Sequence, residues 1–142
     1  MFQLAASIFA VIFLGLLQFT NFFAIGHTKP QLVLIFLIAV SVRLDEWLSR
    51  LLLVLIGAVT LKFYPGTDAV SILFMLASLI GITIVDTLPW TKIINAVIAI
   101  IVSIIIINIT DLNLGAMVAE FIYSLVIFLV FYWVLHPREK IL

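Results

Sequence analysis

The feature that most constrains this chain is its division into six apolar runs separated by short polar breaks. Hydrophobic residues make up 66% of its 142 residues and charged residues only 10%, against about 45–50% and about 25% in an average globular chain. The runs are comparable in length to the thickness of a bilayer. A soluble core of this size could not bury so much apolar surface, so the pattern predicts a polytopic membrane protein.

Glycine, proline and charged residues place the breaks between the runs. They predict helical segments at residues 4–23, 32–42, 51–61, 69–85, 93–109 and 114–135. Segment five is rich in isoleucine, which favours strand in water, but a lone strand in lipid cannot satisfy its backbone, so helix is expected. The predicted fold is an all-α integral membrane protein, a compact bundle of six transmembrane helices in one domain over residues 1–142.

Segments two and three are short, with eleven apolar residues each, whereas a full span needs about 20. They could be two short helices, one long broken helix or a re-entrant hairpin. The spacing favours two helices joined by a tight turn, because charges three and four residues apart can neutralise one another within that stretch. The turn residues are Arg43, Asp45, Glu46, Trp47 and Arg50, and Trp47 suits the headgroup level.

The basic residues predict the orientation of the six spans. With both termini in the cytoplasm, five of the seven lie on the cytoplasmic side: Arg43, Arg50, Lys92, Arg138 and Lys140. The outer loops hold only Lys29 and Lys62. This distribution follows the positive-inside rule.

Few side chains suggest chemistry. The chain has no cysteine and no catalytic, phosphate-binding or metal-binding motif, so we expect no enzyme activity, no cofactor and no metal site. Glu120 lies about 9 Å into segment six and is the best candidate for a substrate, proton or partner contact. The favoured explanation is nevertheless structural: a position at the membrane interface or a hydrogen bond to a neighbouring helix. Gln18 and Asn21 on segment one are candidates for a partner or packing face, since amides can bond between helices.

Short motifs in the first half of the chain carry a resemblance. These are Leu16-Leu17-Gln18-Phe19-Thr20, Lys29-Pro30-Gln31-Leu32-Val33-Leu34-Ile35, Gly57 and Tyr64-Pro65-Gly66. They resemble MreD, the integral membrane subunit of the bacterial rod-shape machinery, over about residues 10–70. Two departures are Gln31, where the family has Asn or Asp, and the end of the third span, where Thr60 and Lys62 replace an expected acidic residue.

The resemblance implies a non-enzymatic scaffold in the bacterial cytoplasmic membrane. MreD-like proteins are similar in fold to the substrate-binding (S) components of energy-coupling-factor vitamin transporters. They associate with the single-span protein MreC and, through it, with the peptidoglycan polymerase complex. The net charge of this chain is zero, so we expect no binding to nucleic acid. The alternatives are an S-component-like carrier of a small molecule and an accessory subunit of another membrane complex.

Overall fold

The computed structural model describes residues 2–19, 31–42, 46–62, 68–109 and 113–135. These residues form six α-helices: α1 (Phe2–Phe19), α2 (Leu32–Ser41), α3 (Trp47–Lys62), α4 (Asp68–Thr87), α5 (Lys92–Ile107) and α6 (Leu114–Leu135). Each of the six predicted segments therefore contains a helix within the described residues, including the isoleucine-rich fifth. The largest difference is at α3, which begins at Trp47, within the stretch predicted as a turn.

Segments two and three are two separate helices, as the sequence favoured. Val33 near the start of α2 lies beside Gly57 near the end of α3, while the end of α2 contacts Arg50 in the first turn of α3. The two helices are therefore antiparallel. Arg43 and Asp45 of the predicted turn lie outside the described residues, and so does Asn21, the second candidate on segment one.

The short helix α2 is the centre of the fold. All ten of its residues are buried, and it contacts each of the other five helices. Those five form an arc around it in the order α1, α3, α4, α5 and α6, each packed against the next. One aromatic pair illustrates this packing: Phe36 of α2 meets Phe131 of α6 edge to face, with ring centroids 5.5 Å apart. At 1.5 Å per residue α2 is about 15 Å long.

Small residues set how closely the surrounding helices approach one another. A Cβ atom added to Gly15 of α1 would lie 2.5 Å from Cγ2 of Thr60 on α3, and one added to Gly81 of α4 would lie 3.0 Å from Oγ of Ser103 on α5. The Ser103 hydroxyl donates to the carbonyl of Ala77 across the same seam, at 3.2 Å. These seams have the close backbone approach that small residues permit in membrane bundles.

The outward faces are as apolar as the core. Large apolar side chains are exposed on each surrounding helix: Phe9 and Phe13 on α1, Leu52 and Leu55 on α3, Ile72 and Leu76 on α4, Ile101 and Ile105 on α5, Val126 and Val130 on α6. Among the described helices, α6 is the one both long and apolar enough, by length and composition, to cross a membrane. The described apolar parts of the other helices are shorter.

Candidate functional site

Arg50 joins three helices at one end of the bundle. Its side chain is only 2% exposed, and Nη1 donates to a carboxylate oxygen of Asp86 in the last turn of α4. Nη2 donates to the main-chain carbonyl of Ser41, the last residue of α2, at 2.6 Å. The guanidinium therefore lies at the C-terminal ends of two helices, where the helix dipole favours a positive charge.

Asn95 closes the end of α4 from the neighbouring helix. Its Nδ2 donates to the carbonyls of Val85 and Leu88, at 3.0 and 2.9 Å, so it satisfies acceptors that a helix C-terminus otherwise leaves unpaired. Its own carbonyl oxygen is buried and finds no donor among the described residues. Asn95 and Arg50 together fix the C-terminal end of α4 against α5, α3 and α2.

Glu120 lies at the opposite end, in the second turn of α6. Its Oε2 accepts a hydrogen bond of 3.0 Å from Nδ2 of Asn108, the residue that caps α5. The same amide nitrogen donates to the carbonyl of Ile104, at 2.9 Å. In the structure Glu120 therefore bonds to the end of the neighbouring helix α5, and its contact with a partner stays a prediction.

Gln18 joins the end of α1 to the start of α2. Its Nε2 donates to Oε1 of Gln31, at 3.0 Å, and its Oε1 accepts from the main-chain nitrogen of Val33, at 3.3 Å. The amide thus satisfies one of the unpaired donors in the first turn of α2. This is the packing role considered for Gln18, and its contribution to a partner face stays a prediction.

The turn residues that the structure describes separate into two kinds. Glu46 and Trp47 are exposed at the start of α3, where Glu46 accepts a hydrogen bond from the Ser49 hydroxyl at 2.9 Å. Arg50 is buried and reaches Asp86, 36 positions along the chain. The spacing of residues within one helix cannot predict a contact between residues of two different helices. The sequence identified Arg50 as a turn residue but gave no sign of its contact with Asp86.

These polar groups do not converge on a reaction centre. The hydrogen bonds of Arg50, Asn95 and Glu120 join one helix to another or close a helix end. The bond between Ser49 and Glu46 is local to the start of α3. No group of three or more potential metal ligands occurs within the five described ranges. What this arrangement can do chemically is hold helices in register.

A concave surface runs along the outside of α1 and α3, and we call it the α1–α3 groove. Its first part, about 680 Å³, is lined by residues that include Gln3, Glu46, Leu52 and Leu55. Its second part, about 410 Å³, begins at the same Leu55 and extends to Thr60. Ile12 and Leu16 form the α1 wall of the second part, with Val59 opposite. Most of the residues that line the groove are apolar; the polar ones are Gln3, Glu46 and Ser49 in the first part and Thr60 at the end of the second.

No protein-family model, curated protein or solved structure matches this chain.

Proposed function

We propose that this chain is a non-enzymatic scaffold subunit of the rod-shape machinery, embedded in the bacterial cytoplasmic membrane. In this proposal all six helices lie within the bilayer, both termini are cytoplasmic, and a single-span MreC-like protein binds by helix packing. The partner would in turn connect the chain to the peptidoglycan polymerase complex. The first half of the chain supports this through its resemblance to MreD.

The observation that carries the membrane placement is the apolar exterior of all five surrounding helices. A helix that is apolar on its buried and exposed faces belongs in a large core or in lipid, and no other described helix covers the exposed faces of these five. The short helix α2 fits the same placement. It is surrounded by protein along its length, so it needs no lipid-facing surface of its own to be stable.

The use of the polar side chains supports a scaffold over a catalyst or carrier. Arg50, Asp86 and Asn95 at one end, and Asn108 and Glu120 at the other, are bonded to neighbouring helices. A carrier needs several polar groups directed into a pocket. The α1–α3 groove is instead predominantly apolar and opens to the outside of the bundle, which suits another apolar helix.

Co-isolation and depletion test this proposal. The tagged chain, co-expressed with the MreC-like protein of the same organism and purified in mild detergent, should retain that protein through washing. Depleting the chain from its rod-shaped host should round the cells, because the elongation machinery loses a membrane subunit. A tagged unrelated six-span protein serves as the co-isolation control.

Two outcomes would overturn the proposal. Rod shape that survives full depletion, together with lost uptake of a vitamin, would replace the scaffold with the S-component-like carrier. Unchanged shape and unchanged uptake would leave an accessory subunit of a different membrane complex.

A further inference from the structure

We propose that the α1–α3 groove is the docking site for the transmembrane helix of the single-span partner. The partner helix would lie along the groove with a Lys or Arg of its cytoplasmic flank beside Glu46. This inference rests on the proposed function and assigns its partner to one surface of the bundle. The occupant is defined by chemistry: one apolar helix, basic at the end that meets Glu46.

The length and shape of the groove fit a helix. Its two parts share Leu55 and together run from Glu46 to Thr60, about 21 Å along α3 at 1.5 Å per residue. That covers most of a hydrocarbon layer of about 30 Å. A helix in the groove would contact α1 on one side and α3 on the other, whereas a single outward helix face offers one line of contact.

The α3 wall presents its apolar side chains at a spacing that suits helix packing. Leu48, Leu52, Leu55 and Val59 are all exposed and follow one another at intervals of four, three and four residues. That is the interval of a knobs-into-holes seam. Lipid gives no hydrophobic drive for association, so a partner helix must gain van der Waals contact through such a fit.

Charge selects the occupant. Of the described residues that line the groove, Glu46 carries the one charge, and it lies at the end assigned to the cytoplasm. A single-span protein has its excess of Lys and Arg on that side of the membrane. An anionic phospholipid would instead bring a net negative headgroup towards Glu46, which is repulsive. An exposed ion pair contributes little affinity, but it fixes direction and register.

Photo-crosslinking tests the location. Benzoylphenylalanine is introduced at Leu52 in the groove or, as the matched control, at Leu76 on the outward face of α4; the two side chains are 41% and 48% exposed. In membranes with the co-expressed MreC-like protein, we expect a crosslink from position 52 to the partner's transmembrane helix. The crosslink yield from position 52 should exceed that from position 76 by about tenfold. That ratio corresponds to a binding free energy about 1.4 kcal/mol more favourable at the groove than at the α4 face.

The controls separate this inference from the proposed function. If the partner co-isolates but crosslinks equally or better from position 76, the groove is not its site and the scaffold proposal stands. Position 52 crosslinking only to lipid, to a second copy of the chain or to residues 136–142 would also overturn the inference. If the partner does not co-isolate at all, both proposals fail.

Charge reversal tests the role of Glu46. Glu46→Lys should weaken co-isolation of the partner about tenfold, since it replaces an attraction with a repulsion, and Glu46→Gln should weaken it by only a few-fold. Exchanging the facing Lys or Arg of the partner for Glu should restore binding to the Glu46→Lys chain. Equal binding by all three chains would show that Glu46 does not face the partner's basic flank.

Discussion

At the scale of single residues, Arg50 is the buried charged side chain among the described residues. A buried guanidinium loses its hydration, and only close hydrogen-bonded partners offset that loss. Asp86 and the Ser41 carbonyl provide them, and both belong to helix ends with a favourable dipole. Because the Asp86 side chain is 37% exposed, water screens part of the attraction, and the pair is weaker than one enclosed on all sides.

Removing Asp86 should therefore destabilise the bundle through the charge left behind. We expect Asp86→Ala to lower the free energy of unfolding by about 2–3 kcal/mol, slightly below the range for fully buried pairs. Thermal or denaturant unfolding of the purified protein in detergent measures this. The matched control is Glu46→Ala, an exposed carboxylate at the same end, which should cost about 0.5 kcal/mol or less.

The double variant Asp86→Ala/Arg50→Leu completes the test. Replacing the uncompensated cation with an apolar side chain should recover part of the loss. An Asp86→Ala protein as stable as Glu46→Ala would contradict a structural role for the ion pair.

The Arg50–Asp86 ion pair also shows which side-chain contacts could not be predicted from the sequence. Glu120 stands out in the sequence because it is a charged residue in an apolar run, and a hydrogen bond to a neighbouring helix is one of the interpretations that its position allows. The Arg50–Asp86 contact depends on how α3 lies against α4, and no pattern within either segment encodes that. The same holds for Gln18 and Gln31, which are separated by residues outside the described ranges.

At the scale of helices, glycine determines which pairs come close. Gly15 and Gly81 face neighbouring helices within contact distance, whereas a Cβ on Gly115 of α6 would meet only Asn113, at 3.7 Å. Neighbouring helices thus crowd positions 15 and 81, as they do Gly57, and leave position 115 open. That contrast gives a matched pair of substitutions.

We expect Gly15→Ala to be destabilising and Gly115→Ala to be neutral or stabilising. The new methyl at residue 15 would overlap Cγ2 of Thr60, and overpacking costs about 1–3 kcal/mol, more than the helix-propensity gain of about 1 kcal/mol. At residue 115 only that gain applies. Unfolding in detergent compares the two.

Thr60→Ser identifies the cause of the Gly15→Ala effect. It removes the clashing methyl and keeps the hydroxyl, which donates to the carbonyl of Ile56 at 2.8 Å. Adding it to Gly15→Ala should recover most of the stability. Equal effects of Gly15→Ala and Gly115→Ala, or no recovery by Thr60→Ser, would contradict the close approach of α1 to α3.

Helix positions were largely predictable because apolar runs and punctuation residues determine them locally. Their spatial order was not. Segment two reads as a short, wholly apolar span, which is compatible either with lipid or with burial among other helices, so its central position could not be predicted. The structure gives the reason for its shortness, because a helix surrounded by five others can be short when those others carry the outer surface.

At the scale of the whole molecule, the hydrogen bonds between helices group the helix termini at two opposite ends of the bundle. The Arg50 contacts and the Asn95 bonds join the ends of α2 and α4 to the starts of α3 and α5. The Gln18 bonds and the Asn108–Glu120 bond join the ends of α1 and α5 to the starts of α2 and α6. The described links between successive helices therefore fit a chain that crosses from one end of the bundle to the other with each helix. This conclusion comes from the contacts and does not use the count of basic residues.

Topology reporters test whether those two ends lie on opposite sides of a membrane. Green fluorescent protein fused after Glu46, Trp90 or Lys140 should fluoresce, because it folds in the cytoplasm, and alkaline phosphatase at those positions should be inactive. Fusions after Lys29, Pro65 or Asn113 should give the reverse result. Positions 46 and 90 are the sharpest pair, since the Arg50–Asp86 contact holds their helix ends together, and the excess of basic residues places both inside. Opposite signals from those two fusions would refute the six-span arrangement, because one bundle end cannot lie on both sides of the membrane.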